Sequence, residues 1–475
     1  MTDHVLLFVP LDDRPVTMDM VVDLARAAEV DVRTPDRAVL GGRDRPGEVD
    51  RVWEWLDHQV AAGASALIAS VEMLCLGGLV ASRKSEAEFE EIAPRLRRLY
   101  EIASRVPTYI SAVIPRTPVH PTAEDAPDAA LQHRTRHLQM NTDLIDAASR
   151  GRLRYLLIGQ DDTSPRSPGQ AERESLQAHV EAIGAPNVLL TSGADELNTR
   201  LLARWLTDLT EVSAGVRILY TYPENAEQIP LYEATPLIQT VGEHVRSAGC
   251  ALSPSPQPSP LVGEGEGEGS DADILLWVHN FKDRQREARD QPETLDHDRV
   301  EVILKQVDAA AKRGKAVALA DVRYANGADR AVVGRLLDEP RFAGIVAYGG
   351  WNTCSNSLGT AISQAVVAHH LRATLPEDDR VYRQVLFLRI LDDWGYQSVI
   401  RPQLARWVED HGGSPADLGE HESTAEVLAL QGLRNDALPA LQASFRHHPT
   451  AVHRVTFPWH RLFEVRIDLE ITRTP

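Results

Sequence analysis

Three cysteines, Cys75, Cys250 and Cys354, are all that 475 residues contain, too few and too scattered for a disulfide framework or a C-x-x-C metal site. A reducing cytoplasm is the expected setting. No apolar stretch has the roughly 20 residues that span a bilayer, and MTDH leads straight into the strand-like VLLFV without a basic n-region. A soluble, unexported chain without membrane contact is expected. Positive charge is also short: 50 Lys plus Arg face 69 Asp plus Glu, a net charge of −19, so nucleic acid phosphates would be repelled. The chain has no G-x-x-x-x-G-K-[ST] loop, no G-x-G-x-x-G after its first strand, no H-E-x-x-H and no G-x-S-x-G. Neither a nucleotide cofactor nor a bound metal is expected. HRTRH at 133–137 carries two histidines at helical spacing, but its flanking arginines favour a surface face over a zinc site.

What is present is an alternation of short apolar runs with amphipathic segments. Strands are expected at 5–9, 31–34, 66–70, 107–114, 155–159, 187–191, 216–222, 273–279, 316–322 and 345–350. Helical spacing fills the gaps, as in EVDRVWEWLDHQV, FEEIAPRLRRLYEIA and ELNTRLLARWLTDL. The class is therefore α/β with parallel βα repeats. A barrel-like, distorted TIM-type sheet is favoured over two doubly wound domains, because polar clusters follow nearly every strand. Residues 1–372 are expected to form this α/β domain. Within it, 253–270 (SPSPQPSPLVGEGEGEGS) reads as a disordered Pro/Ser and Gly/Glu insertion. Residues 373–475 read as a mainly helical cap with a terminal strand.

In parallel α/β architectures ligands bind at the carboxyl ends of strands, and chemistry-bearing residues sit there. The sequences are PLDDRP at 10–15, EMLCLGG at 72–78, Arg116, QDDTS at 160–164, GADE at 193–196, DVRYANGAD at 321–329 and GGWNTCSN at 349–356. Crowded carboxylates raise one pKa and supply a general acid, so Asp161, Asp162, Asp13 and Glu72 are the candidate catalytic groups. Asp161-Asp162 leads them, because a wholly apolar strand precedes the pair and a loop follows. The alternatives are an N-cap role for Asp161-Asp162 and an internal ion pair with Arg14 for Asp12-Asp13. Candidate substrate-binding residues are Asp12, Arg14 and Arg116, then Tyr222, His279, Asp321, Tyr324, Asn326, Trp351, Asn352, Asn356, Asp393 and Trp394. Arginines clamp anionic groups, aromatic rings stack on sugar faces, and amides hold hydroxyls. Asp12, Asp13, Arg14, Glu72, Arg116, Asp161, Asp162, Asp321, Asn326, Trp351 and Asn352 are expected to line one pocket.

PLDDRPV at 10–16, EML-x-x-GG at 72–78, QDDT at 160–163, ADVRYANGAD at 320–329, YGGWNT-x-SN-x-LG at 348–359 and DDWGYQ at 392–397 resemble the bacterial family known as domain of unknown function 4127. That resemblance runs along nearly the whole chain and implies no reaction. A fainter one, confined to Asp161 and Asp162, runs to family 84 barrel glycoside hydrolases, whose paired aspartates orient the substrate acetamido group and act as general acid. The leading expectation is a hydrolase of a carbohydrate-like substrate. Alternatives are a magnesium- or manganese-dependent hydrolase or lyase using Asp13, Glu72, Asp161 and Asp321, or a non-catalytic binder of a small polar ligand.

Overall fold

Every one of the ten expected runs becomes a strand in a computed structural model that describes residues 4–116, 127–253, 272–292, 294–339, 341–374, 380–445 and 450–471. The insertion expected at 253–270 lies, apart from Ser253, outside the described residues. Two compact units emerge: Met1–Trp205 with Tyr232–Thr235, and Leu206–Leu231 with Pro236–Pro475.

In the first unit β1 (Val5–Val9), β2 (Asp31–Arg33), β3 (Ala66–Ser70), β4 (Thr108–Ile114), β5 (Tyr155–Gln160) and β6 (Val188–Ser192) form one parallel sheet in the order β2-β1-β3-β4-β5-β6. β3, β4 and β5 are buried along their whole length, as befits strands covered on both faces, which is why they read as unbroken apolar runs. Trp53, Leu67, Ile110, Leu144 and Ile158 belong to the core around this sheet. The order runs outward from β1 in both directions, so the topological switch point lies between β1 and β3. In doubly wound sheets the ligand crevice opens there, at the strands' carboxyl ends. Backbone crowding at those ends explains one residue of β5: a Cβ on Gly159 would stand 2.1 Å from the Gly193 carbonyl oxygen.

In the second unit β7 (Gly215–Tyr220), β8 (Ala251–Leu252), β9 (Ile274–His279), β11 (Ala316–Asp321) and β13 (Ala347–Gly349) form a second parallel sheet, ordered β13-β11-β9-β7-β8. A small parallel pair joins β10 (Arg286–Glu287) to β12 (Tyr324–Ala325), and β14 (Thr450–Thr456) pairs antiparallel with β15 (Arg466–Ile471). The ten expected strands thus divide between the two larger hydrogen-bonded ladders, and no ladder joining them all is seen among the described residues. The helical tail is continuous with this unit, because the helix Cys354–Thr374 crosses the boundary expected after 372. Phe387, Leu404, Val452 and Leu469 of the tail share one core with Trp277 and Leu319 of the sheet.

HRTRH departs from expectation. His137 and Arg136 are buried, and the Arg136 guanidinium donates to the carbonyls of Ser82, Ser85 and Ala87. Burial drives the His137 pKa down to about 3, and its Nδ1 lies 2.7 Å from the His133 carbonyl. The segment is a structural tie; its arginine satisfies the carbonyls of a neighbouring helix end, which sequence spacing could not show.

Candidate active site

After β1 the chain turns through Pro10 and Leu11, and Arg14 precedes a π-helical turn, Pro15–Asp19, closed by the Met20 N–H on the Pro15 carbonyl. Such one-residue expansions of a helix recur at functional sites. Here the turn holds a buried arginine between two carboxylates. Arg14 Nη2 lies 2.7 Å from Asp12 Oδ2 and 2.6 Å from Asp195 Oδ1, beyond the end of β6, and Thr17 Oγ donates to Asp12 Oδ1 at 2.6 Å. Burial alone would raise Asp12, but Arg14 and Thr17 outweigh it and hold its carboxyl below the usual range. The ion-pair reading of Asp12 is thus the one the structure shows. Asp12 and Arg14 are braces of the site floor. Asp13, between them in sequence, is partly exposed.

Past β3, Gly77 and Gly78 at φ 81° and 116° bring the backbone against β1: a Cβ on Gly78 would stand 3.3 Å from the Leu11 carbonyl oxygen. The short helix that follows, Leu79–Lys84, carries Arg83, which pairs with Asp161 at the end of β5. Glu72 is completely buried, accepting from the Ser70 hydroxyl at 2.7 Å and the Val113 N–H at 2.8 Å. Burial pushes its pKa up to about 7. With both oxygens engaged by β3 and β4, Glu72 is a strut between strands, in contrast to the reacting group expected from the sequence.

Past β5, Asp161 and Asp162 separate in environment. Asp161 is paired with Arg83 and accepts the Asp162 N–H at 2.9 Å. Asp162 is raised to about 7 by burial, with Asp161 and Asp195 adding repulsion. Burial likewise raises Asp195 to about 6, against the pull of Arg14. Neither Asp161 nor Asp162 caps the following helix, where Ser167 accepts the Gln170 N–H instead. Gln160 is buried with its side-chain carbonyl oxygen unsatisfied, and the Thr163 N–H donates to the Tyr232 carbonyl at 3.0 Å. Arg116, past β4, is half-buried, and among the described residues it makes no ion pair and its Nε has no acceptor. It acts electrostatically on both Arg83 and Asp162. Five strand ends therefore meet here, carrying Asp12, Arg14, Glu72, Arg83, Arg116, Asp161, Asp162 and Asp195.

The other expected site residues lie in the second unit and form a group of their own. His279 Nε2 stands 3.0 Å from Asp329 Oδ2, and its Nδ1 is 2.9 Å from the Thr221 hydroxyl, which in turn accepts from the Trp277 indole. Arg323 donates to Asp329 at 2.7 Å, and the Asp329 N–H donates to Asp321 Oδ2 at 2.7 Å. The Tyr222 backbone and the Asn280 amide exchange two hydrogen bonds of 2.8 Å, Arg299 lies over the Tyr222 ring, and Arg323 lies over Tyr324. Asp393 accepts the Gly350 N–H at 2.8 Å. Asn356 is buried beside Thr353, and Trp394, partly buried, packs against the hydrophobic core. His279, Asp321 and Asp329 are fully buried, a stabilising network more than a reaction surface.

That network has a pH signature. Burial raises Asp321 and Asp393 to about 7 from an ordinary 3.8, so the folded unit holds protons that the unfolded chain releases. Stability present below about pH 4 is therefore lost as pH rises through about 7. Asp393→Asn should flatten the difference in melting midpoint between about pH 5 and about pH 8; an undiminished difference would refute Asp393 as a contributor.

Arg83, Asp195 and Asp329 are not among the site residues expected from the sequence. A signal existed for two of them: Asp195 lies in GADE directly after a strand, and Asp329 closes DVRYANGAD. Arg83, within the helix after Gly77-Gly78, had none. Among the described residues no three His, Cys, Asp or Glu side chains gather as a metal site, and no helix is long and apolar enough to cross a membrane.

A family described as "Protein of unknown function (DUF4127)" matches residues 6–132 and 129–468. No curated protein matches.

Proposed function

We propose that this chain, which belongs to the DUF4127 family, is a hydrolase of a carbohydrate-like substrate, with its active centre at the carboxyl ends of β1, β3, β4, β5 and β6. One observation supports this above the rest: two adjacent carboxylates in opposed environments. Asp161 is ion-paired with Arg83, whereas burial and its neighbours raise Asp162 to about 7. Environments that separate two carboxyl groups in this way assign acid and base roles in glycoside hydrolysis.

In this reading Asp162 protonates the leaving oxygen, and Asp161 stabilises positive charge developing on the ring. Asp13, the partly exposed carboxylate after β1, takes a proton from the water that adds to the ring carbon as the bond to the leaving oxygen breaks. Arg116 has no carboxylate partner among the described residues, so it receives an acidic group or hydroxyl of the substrate. Arg14, Asp12 and Asp195 hold the floor rigid, as preorganised sites require. The three buried free cysteines suit a reducing cytoplasm.

The test is a panel of aryl glycosides that includes glycuronides. A group acting as a general acid must hold its proton, and Asp162 does so below about pH 7. Turnover should therefore fall about tenfold per unit above that pH. No hydrolysis across the panel, or a rate still rising above about pH 8, would reject the reading.

A further inference from the structure

The hydrolase reading leaves unexplained three sequence motifs in the second unit: ADVRYANGAD, YGGWNT and DDWGYQ. The fold stitches them together. Asp393 accepts the Gly350 N–H through its carboxylate and the Ala328 N–H through its carbonyl, at 2.8 and 3.1 Å, and the Asn326 N–H donates to the Asn352 carbonyl at 2.8 Å. Asn326 and Asn352 are both held at left-handed φ, 62° and 64°. Left-handed conformations in non-glycine residues are costly and concentrate where a loop is shaped for a ligand.

Trp351 directly precedes Asn352 in one of these loops. Its side chain is all but enclosed, the residue being 5% exposed, yet its indole N–H has no acceptor. Its ring packs on Phe463 at 5.4 Å between centroids. Two guanidinium groups also lie over Phe463, Arg401 at 4.9 Å and Arg461 at 5.3 Å. Arg461 is neutralised by Glu464, with Nε 2.7 Å from Oε2. Arg401 is not: it donates to the Gln397 side-chain oxygen at 2.7 Å and, among the described residues, has no carboxylate within ion-pair distance. Glu464 and Glu287 act on it only from farther away.

Gathered on one aromatic ring are thus an unneutralised, partly buried arginine and an enclosed indole N–H without acceptor. Both are donors, and the missing partner is an acceptor carrying negative charge. We propose that Arg401 and Trp351 form a second ligand site, for a small molecule bearing a carboxylate or phosphate group. Both residues lie in the second unit, and the proposal does not depend on the hydrolase reading.

Titration calorimetry on the full chain, with inorganic phosphate and with citrate at constant ionic strength, tests this and distinguishes the two anion types. At least one anion should bind saturably. Arg401→Met should weaken that binding at least about tenfold, the loss of a charge-assisted partner. Trp351→Phe, which keeps an aromatic ring and removes the N–H, should weaken it at least about threefold. Arg26→Met, at an exposed arginine of the first unit, should leave it unchanged. Absence of saturable binding by either anion, a smaller loss in Arg401→Met, or an equal loss in Arg26→Met would overturn the site. If Arg401→Met does not fold, Trp351→Phe decides alone, and wild-type affinity in it overturns the proposal.

Discussion

Asp162→Asn is expected to cut hydrolytic turnover by at least about two orders of magnitude while the chain remains folded. Asparagine keeps the shape of the carboxyl group but has no proton to give, and removing a carboxylate that burial and Asp161 disfavour relieves repulsion. The melting midpoint should therefore hold or rise as turnover collapses. Asp161→Asn should lower turnover as far for a different reason, since it strips Arg83 of its counter-ion in a place where Arg83 and Asp161 side chains are only 17% and 13% exposed. That variant should also lose stability. Near-wild-type turnover in both variants would remove this aspartate pair from the chemistry.

Arg14→Met should produce the largest loss of stability. It leaves Asp12 and Asp195 facing each other, buried, with no cation between them. Breaking a buried ion pair from one side costs about 3–5 kcal/mol, and two carboxylates lose their shared guanidinium here. Denaturant unfolding of the six-stranded unit should shift accordingly, and Arg14→Lys should not restore it, because a single ammonium cannot reproduce the fork that reaches both acids. A shift below about 1 kcal/mol, the usual size for an exposed pair, would show that the bridge is solvated and incidental.

The strands and the carboxyl-end clustering were legible because they are local. VLLFV, ALIAS and YLLIG are apolar runs bounded by polar or turn residues, and a parallel strand buried on both faces has no other way to read. The same uniformity hides pairing. Nothing in a run of alternating Leu and Ile says which neighbour it will choose, so the division of strands between two sheets could not be read from spacing. The site was legible in part for a similar reason. Asp161 and Asp162 announce themselves by position after a strand. The partners that give them different characters, Arg83 and Asp195, come from other strand ends and are joined only by the fold. Arg14 and Asp195 are 181 residues apart in sequence, and no motif spans that distance. Glu72 shows the converse: an acidic residue after a strand looks catalytic until its two oxygens are found engaged by Ser70 and Val113.

The four residues Tyr232–Thr235 belong to the compact unit whose main body ends at Trp205. The Tyr232 carbonyl accepts the N–H of Thr163, directly beyond the aspartate pair, and the Thr235 hydroxyl meets that of Ser192 at the end of β6, 3.0 Å apart. On the ribosome, then, the amino-terminal sheet emerges before its own last ties. β7 of the other unit must be synthesised before those ties exist, so the Asp161-Asp162 loop waits for it. Cutting the gene at codon 205 would release the first unit without the segment that ties its Asp161-Asp162 loop and the end of β6. The reading frame interleaves the two units, and this places the earliest possible completion of the Asp161-Asp162 loop near the midpoint of translation.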